Sequence, residues 1–244
     1  MHPLATGWPG PFCINRGSHS AVAETLERTT VRLHKLNRRL LLLGEHCYLD
    51  SSDECYFAGL YECRRQRGIK ALVVSLKQGN RSAILDASSQ VASALPPDWA
   101  QHHTFVPMPA SAGDGGAAKA VVRNLPVADA RYLLVQKADT RPSHYGSRLA
   151  PIQRAALMAL DERQADPRPT AVVIVDDVLT TGCHFRAAKM LVRQKWPGMR
   201  VIGLFLARAC ARHQAFCYLE GAGHGNGRAC RIEPAKPSSE PDEL

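Results

Sequence analysis

The sequence lacks the features that would assign it to several common classes of protein. Its eight cysteines include no Cys-x-x-Cys pair, so the strongest signature of a structural zinc site is absent. No Gly-x-x-x-x-Gly-Lys-Ser/Thr stretch occurs, which excludes a P-loop. The longest apolar runs, near Leu40–Leu43 and Ala171–Val175, are far too short to span a bilayer. Three prolines interrupt the first 13 residues and no apolar stretch follows them, so we expect no signal peptide and a soluble, cytoplasmic protein.

The chain has enough length for a full core and carries an excess of positive charge. With 244 residues, it can form one α/β domain with additions or two small domains. The formal net charge of +9 suits an anionic small molecule or a nucleic acid, and it identifies neither.

The cysteines allow one weak metal hypothesis. Cys47, Cys55 and Cys63 are evenly spaced and His46 adjoins the first of them, so a metal site at these residues stays open. We expect most of the cysteines to be reduced and buried.

The most informative stretch predicts a strand, a turn and a helix. Val172–Val175 is an unbroken apolar run, the pattern of a strand buried on both faces of a parallel sheet. Asp176 and Asp177 follow at its carboxyl end, where open α/β sheets bind their ligands. The turn Thr180–Gly182 then leads into a helix whose N-terminal N–H groups favour phosphate, and Gly182 would allow close approach of the ligand. Two acids that can bind sugar hydroxyls lie next to a turn that can bind phosphate, and this combination predicts a ribose 5-phosphate site.

Three other interpretations of this stretch are weaker. A Walker B strand would need the missing P-loop. A response-regulator acid pair would need a phosphoacceptor Asp one strand later, but Val201–Cys210 contains no acid. A core strand that ends in a solvated turn is the third interpretation. Because the strand, acids, turn and helix are all in register, they favour a ligand site over this third interpretation.

The rest of the chain predicts an α/β core that follows an α-rich cap. Four parts are expected: a mobile arm at 1–20, an α-rich cap at 21–100, an α/β core at 101–212 and a disordered tail at 213–244.

In the cap, leucines at helical spacing predict a helix from Ala21 to Leu43. Basic residues interleave with these leucines: Arg28, Arg32, Lys35, Arg38 and Arg39. They form either a nucleic-acid-binding face or a solvated basic face, and the second is favoured because no aromatic residues accompany them. Asp53–Tyr61 predicts a short strand or hairpin within the cap, and helices are predicted at 69–77 and 82–95.

The core predicts alternating strands and helices. The expected elements are strands at 104–111, 132–135, 172–175 and 201–207, with helices at 116–125 and from Pro151 to about Glu162, and a helix after Gly182. This order predicts a parallel sheet with right-handed crossovers, flanked by helices.

The motif resembles that of type I phosphoribosyltransferases, which bind phosphoribosyl pyrophosphate (PRPP) with an apolar strand, two acids, two apolar residues and Thr-Thr-Gly. Leu76-Lys77, the strand Val106–Pro109 and the basic loop before the motif also resemble ComF-type competence proteins. Further stretches look like a group of bacterial phosphoribosyltransferase-like proteins: Asp53–Phe57, Phe105–Pro109, Ser143-His144, Thr181–Phe185 and Gly203–Arg208. The likeness covers about residues 45–210.

The resemblance implies a type I phosphoribosyltransferase-like fold and Mg²⁺-dependent transfer of phosphoribose from PRPP to an unidentified acceptor, by a homodimer, with release of pyrophosphate. Asp176 and Asp177 would hold the ribose hydroxyls, directly or with Mg²⁺. The 5-phosphate would bind at residues 180–184: Thr180, Thr181, Gly182, Cys183 and His184.

The resemblance also implies a pyrophosphate loop and a lid. The loop corresponds to three residues: Pro109, Ala110 and Ser111. The lid corresponds to 136–150 and supplies Lys137, Arg148 and His144, the last as a general acid/base or a hydrogen-bonding residue.

Two departures from the family pattern support an alternative. His184 replaces a Thr of the phosphate cradle, and the pyrophosphate loop has Ala110 and Ala112 but no basic residue. The alternative is a catalytically inactive PRPP- or nucleotide-sensing regulator that associates with nucleic acid in competence or defence.

Overall fold

The computed structural model describes residues 32–36, 46–61, 67–110, 116–137 and 149–209. The predicted arm and tail, and the predicted site residues Ser111, His144 and Arg148, lie outside these ranges. Within them, no helix has the length and apolar character that a membrane crossing requires.

The described residues form eight strands and six α-helices. The strands are β1 (His34–Lys35), β2 (Glu54–Tyr61), β3 (Thr104–Pro107), β4 (Asp129–Ala130), β5 (Leu134–Gln136), β6 (Met158–Leu160), β7 (Ala171–Leu179) and β8 (Arg200–Ala209). The helices are α1 (Arg67–Lys77), α2 (Arg81–Ala94), α3 (Pro97–His102), α4 (Ala117–Arg123), α5 (Pro151–Ala156) and α6 (Cys183–Lys195).

Six strands form a central sheet in the order β1-β2-β8-β7-β3-β4. Every neighbouring pair is parallel except β1 and β2. The prediction of an α/β fold with a mostly parallel sheet is therefore confirmed. Strand β7 lies inside the sheet, where Val175 is opposite Leu204 of β8 and Pro107 of β3.

The apolar run of β7 is continuous because helices cover both faces of the sheet. Val172 and Ile174 pack with residues of α5 and α6 in one cluster, whereas Val173 and Val175 pack with α1, α2 and α4 in another. Alternate residues of a strand point to opposite faces, so a strand in the middle layer needs apolar residues at every position.

The structure confirms the strongest local patterns. The helices predicted at 69–77, 82–95 and 116–125 correspond to α1, α2 and α4, and the strand at 201–207 lies within β8. Helix α2 begins where Asn80 accepts a hydrogen bond from the Ala83 N–H at 3.1 Å.

Two predictions about the cap are wrong. Residues 34–35, which we placed in a helix, form β1 and pair antiparallel with β2, and the His34 and Phe57 rings stack at 5.5 Å. The rest of that predicted helix lies largely outside the described residues. Strand β2, which we placed in the cap, pairs parallel with β8 from Glu54 to Tyr61 and belongs to the central sheet.

Two predictions about the core are also wrong. The strand predicted at 132–135 does not join the central sheet, because β5 pairs antiparallel with β6 in a separate two-stranded sheet. The edge beside β3 is occupied by β4 instead. The helix predicted from Pro151 to about Glu162 ends at Ala156, because Met158–Leu160 pairs with β5 and buries Met158.

Candidate functional site

The predicted ligand site lies at the carboxyl edge of the central sheet, where β7 passes into α6. The turn 180–182 links the two elements, and Gly182 caps α6 with a φ of +82°. The N–H of Met108 donates to the Val175 carbonyl at 2.8 Å, so the start of the predicted pyrophosphate loop is level with the acid pair. The structure therefore brings Pro109 and Ala110 to the same edge as Asp176, Asp177 and residues 180–184.

The two acids differ in their surroundings. Lys77 at the end of α1 forms a 3.0 Å ion pair with Asp177 Oδ2, and the Asp177 side chain is 19% exposed. No cation among the described residues forms an ion pair with Asp176, and its Oδ1 accepts the Asp177 N–H at 2.9 Å. Burial, together with the negative charge of Asp177, raises the pKa of Asp176 to about 8. At neutral pH the Asp176 carboxyl is therefore largely protonated and can donate to a sugar hydroxyl, while oxygens of Asp177, which is ion-paired with Lys77, can accept from another.

Hydrogen bonds from the segment 46–49 fix the position of the turn 180–182. The buried His46 donates from Nδ1 to the Thr180 carbonyl, and its Nε2 accepts from Arg208 Nη1 at 3.2 Å, which fixes the Nδ1–H tautomer. The Tyr48 N–H donates to the Thr181 carbonyl at 3.1 Å.

Packing within the protein also requires glycine at position 182. A Cβ atom at this position would lie 2.4 Å from Cγ of Leu49, and the positive φ is unfavourable for other residues. The glycine therefore allows the turn to pack against segment 46–49. The ligand contact expected for Gly182 stays a prediction.

An ion-pair cluster fixes the first turns of α6. The Asp53 side chain is fully buried, and it binds Arg186 at 2.7 Å and Lys189 on the next turn. Arg186 also pairs with Asp50 at 2.9 Å. Because the buried carboxylate has two cationic partners, this part of the helix is compensated in charge.

Arg154 is a site residue that the sequence reasoning missed. This α5 side chain is 5% exposed, and it hydrogen-bonds the sulfur of Cys183 at the first position of α6. Its Nε atom has no hydrogen-bond partner, and no carboxylate in the described part of the chain forms an ion pair with it. An arginine in a short predicted helix is usually solvated. The only feature of the sequence that indicated burial of Arg154 was its position next to the apolar Ala155. The buried guanidinium and the α6 N-terminus together create a strongly positive position.

His184 is neutral in this setting. Burial lowers the pKa of His184 to about 4, and the positive charge of Arg154 lowers it further. The negative charge of Asp177 raises this pKa, but its effect is smaller. The imidazole that replaces the expected Thr therefore keeps one N–H donor and adds no charge at neutral pH.

The remaining predicted residues contribute less. Thr180 is exposed, and Thr181 Oγ1 accepts the Cys183 N–H over a long 3.4 Å. Lys137 has an exposed side chain, its N–H donates to the Leu157 carbonyl at 2.9 Å, and the structure does not bring it into contact with the turn.

The acid pair is the position that best fits Mg²⁺. Mg²⁺ in proteins commonly takes one or two carboxylates and completes its shell with substrate phosphates and water. Asp176 and Asp177 provide two carboxylates, and no group of three or more potential ligands occurs among the residues that the structure covers. The pair therefore suits a metal ion that arrives with a phosphorylated ligand. His46 uses both ring nitrogens in hydrogen bonds, and Cys63 lies outside the described ranges.

Comparison with known proteins adds no assignment: no protein-family model matches the chain, and no curated protein shows significant similarity to it. Function has to follow from the geometry of this edge.

Proposed function

We propose that the protein is a cytoplasmic phosphoribosyltransferase that binds PRPP at the carboxyl edge and transfers its phosphoribosyl group to an acceptor, in a Mg²⁺-dependent reaction that releases pyrophosphate. One observation carries the proposal. An acid pair near the end of β7 and the positively charged N-terminus of α6 are separated by only the five residues 178–182. A ribose 5-phosphate needs both, because its hydroxyls and its phosphate lie at opposite ends of the sugar.

The phosphate end is supported by the unbalanced positive charge at α6. A dianionic phosphate at the helix N-terminus would accept hydrogen bonds from the free backbone N–H groups and from Arg154. Burial of an unpaired guanidinium is costly for the fold, and a bound phosphate offsets that cost.

The ribose end is supported by the shared proton of the acid pair. Asp176, protonated at neutral pH, can donate to one ribose hydroxyl, while the ionised Asp177 accepts from another. As the bond from C1′ to pyrophosphate breaks, positive charge develops on the ribose ring, and the negative charge of Asp177 stabilises it. When Mg²⁺ is bound, Asp176 would give up its proton to hold the ion together with Asp177, and the metal would neutralise negative charge on the departing pyrophosphate.

The decisive test replaces both acids by amides. In the Asp176→Asn/Asp177→Asn variant, calorimetric titration with PRPP should show at least tenfold weaker binding, about 1.4 kcal/mol. The free energy of unfolding should stay unchanged or rise, because the substitutions remove negative charge from a position where burial disfavours it. Asp86→Asn/Asp98→Asn, which removes two acids from α2 and α3, is the matched control and should bind PRPP normally. Unchanged PRPP binding in the site variant would refute the ribose assignment.

A second candidate function, PRPP sensing without transfer, is favoured by the apolar start of the pyrophosphate loop. Pro109 and Ala110 offer no cation to the leaving group, and the ion pair with Lys77 already engages Asp177. Labelled PRPP with Mg²⁺ and a panel of nucleobases, amines or cell extract distinguishes the two. Pyrophosphate release with any acceptor supports the transferase, whereas tight binding with no release from any mixture supports the sensor.

A further inference from the structure

A groove of about 470 Å³ lies between the α1–α2 turn and helix α4, outside the turn at Thr180–Gly182. Apolar side chains line part of it: Leu76, Ile84 and Leu85. Leu85 is 46% exposed and Ile84 is partly buried, so the groove presents apolar surface to solvent. The volume is in the range of small-molecule sites, roughly 300–1,000 Å³.

The described residues that line the groove carry charge of one sign. Arg81, Lys119 and Arg123 are cationic, and none of the other described lining residues is acidic. Arg81 and Arg123 are exposed, while Lys119 is half-buried with its Nζ 5.2 Å from the centre of the Tyr132 ring. Helix α2 begins at Arg81, so the positive end of its dipole adds to the same potential. An anionic ligand is therefore favoured over a neutral or cationic one.

The groove adjoins the carboxyl edge at two points. Leu76 directly precedes Lys77, whose Nζ is 3.0 Å from Asp177. Gly116 also lines the groove, and a Cβ atom there would lie 3.2 Å from Cβ of Ala110. One wall of the groove is thus shared with residues next to the acid pair and the predicted pyrophosphate loop.

We propose that this groove binds the acceptor, and that the acceptor is a small molecule with an anionic group on an apolar, ring-sized body. The inference rests on the proposed function. The anionic group faces Arg81, Lys119 and Arg123, and the apolar body lies on the leucines and Ile84. In the transfer, a lone pair of the acceptor forms a bond to C1′, the electrons of the C1′–oxygen bond leave with pyrophosphate, and the proton lost by the acceptor passes to water.

The first experiment measures charge selectivity with 2-naphthoate and its neutral counterpart 2-naphthamide as probes, on the full chain. The wild type should bind the carboxylate at least fivefold more tightly than the amide at low salt. Arg81→Glu/Lys119→Glu should abolish this preference, whereas Arg168→Glu/Arg193→Glu, an equal charge change on exposed residues elsewhere, should keep it. Absence of the preference in the wild type, or its persistence in the groove variant, overturns the groove assignment.

The second experiment tests the acceptor and separates it from the proposed function. A metabolite extract is divided on an anion-exchange resin, and each fraction is supplied to the protein with Mg²⁺ and labelled PRPP. Pyrophosphate release should require the retained, anionic fraction, and its kcat/KM should fall at least tenfold in Arg81→Glu/Lys119→Glu while PRPP binding stays unchanged. Release driven only by the unretained fraction overturns this inference and leaves the transferase standing. Failure of the wild type to bind PRPP overturns the proposed function, and with it the acceptor role, whatever the naphthoate result.

Discussion

The two edges of the central sheet differ in how far their charged groups are compensated by partners of opposite charge. At the amino ends of the strands, charges are paired. Glu54 at the start of β2 accepts two hydrogen bonds, of 3.0 and 2.9 Å, from Arg200 at the start of β8. Asp129 at the start of β4 accepts from Thr104 at 2.6 Å and pairs with Arg131 at 2.8 Å. At the carboxyl ends, two aspartates lie side by side with one ion-paired cation between them, since Lys77 pairs with Asp177, and the nearby Arg154 has no described carboxylate as a partner.

The pKa values follow the same division. Hydrogen bonds from Arg200 hold the pKa of Glu54 below its usual value, whereas burial and a like charge raise that of Asp176. Folding alone favours the first arrangement, because an uncompensated buried charge costs stability. Asp176 and Arg154 stay uncompensated at the edge where open α/β sheets generally bind their ligands, which is the basis of the proposed phosphoribosyl site.

The largest expected effect comes from breaking a pair on the compensated side. Asp53→Ala removes the buried partner of Lys189, a side chain that is 4% exposed. We expect the free energy of unfolding to fall by about 3–5 kcal/mol, measured by urea denaturation. Adding Lys189→Met to this variant should restore part of the lost free energy of unfolding, since the unpaired buried ammonium group of Lys189 is then removed. A loss of under about 1 kcal/mol in the single variant would show that the cluster is effectively solvated.

Only some of the residues in this comparison could be assigned to the candidate site from the sequence. The acid pair and turn were predictable because their neighbours repeat a local pattern: an apolar run, two acids, a glycine turn and an amphipathic helix. The positions of α1, α2, α4 and β8 followed from periodicity in the same way. Each of these features is decided within about ten residues of chain.

The features that were missed depend on distant partners. Leu33 and Leu36 fit a helical pattern, yet the intervening residues pair with Phe57 and Tyr56 of β2. Strand β2 looked like part of a cap because its partner β8 is almost 150 residues away in the chain. Arg154 carried no local signal, since its importance comes from α6. Pairing and burial of this kind are tertiary properties, which override local preference.

The second prediction removes the uncompensated cation. Arg154→Met keeps most of the side-chain volume and deletes the charge, so the free energy of unfolding should be unchanged or higher. Binding of PRPP, and of inorganic phosphate as a simpler probe, should weaken at least tenfold, about 1.4 kcal/mol. Arg168→Met, an exposed arginine in a loop, serves as the control for both measurements. Normal phosphate affinity combined with lost stability would mean that Arg154 is a structural residue.

The third prediction concerns pH. The raised pKa of Asp176 means that the folded protein keeps a proton which the unfolded chain releases, so the free energy of unfolding falls as pH rises toward 8. His34, His103 and His184 have pKa values lowered chiefly by burial, so their contribution is present above pH 6.5 and is lost as pH falls. Between pH 7 and 8 these histidines are largely neutral in both the folded and the unfolded state, so the aspartate effect dominates.

Thermal or urea unfolding across this range isolates the aspartate. The wild type should lose on the order of 1 kcal/mol between pH 7 and 8, and Asp176→Asn should remove most of that slope. Below pH 6.5 the loss from the histidines should be larger in Asp176→Asn, because the wild-type aspartate keeps its proton in the folded state and continues to add stability down to its unfolded pKa of about 3.8. An unaltered alkaline slope in the variant would mean that Asp176 is ionised throughout.

The smallest effect, and the closest control for the comparison, is Glu54→Gln at the amino edge. Arg200 is 51% exposed, so solvent screens the pair and we expect a loss of only about 0.5–1 kcal/mol at pH 7. The lowered pKa of Glu54 places this stabilisation above the unfolded pKa of about 4.5, and it should disappear as pH falls below that value. PRPP binding should be unchanged.

The same acid-to-amide change would thus lower the free energy of unfolding at Glu54, whereas at Asp176 it would leave this free energy unchanged or raise it. If both substitutions lower stability equally at pH 7, the two edges do not differ in charge compensation, and the argument for a ligand at the carboxyl edge fails.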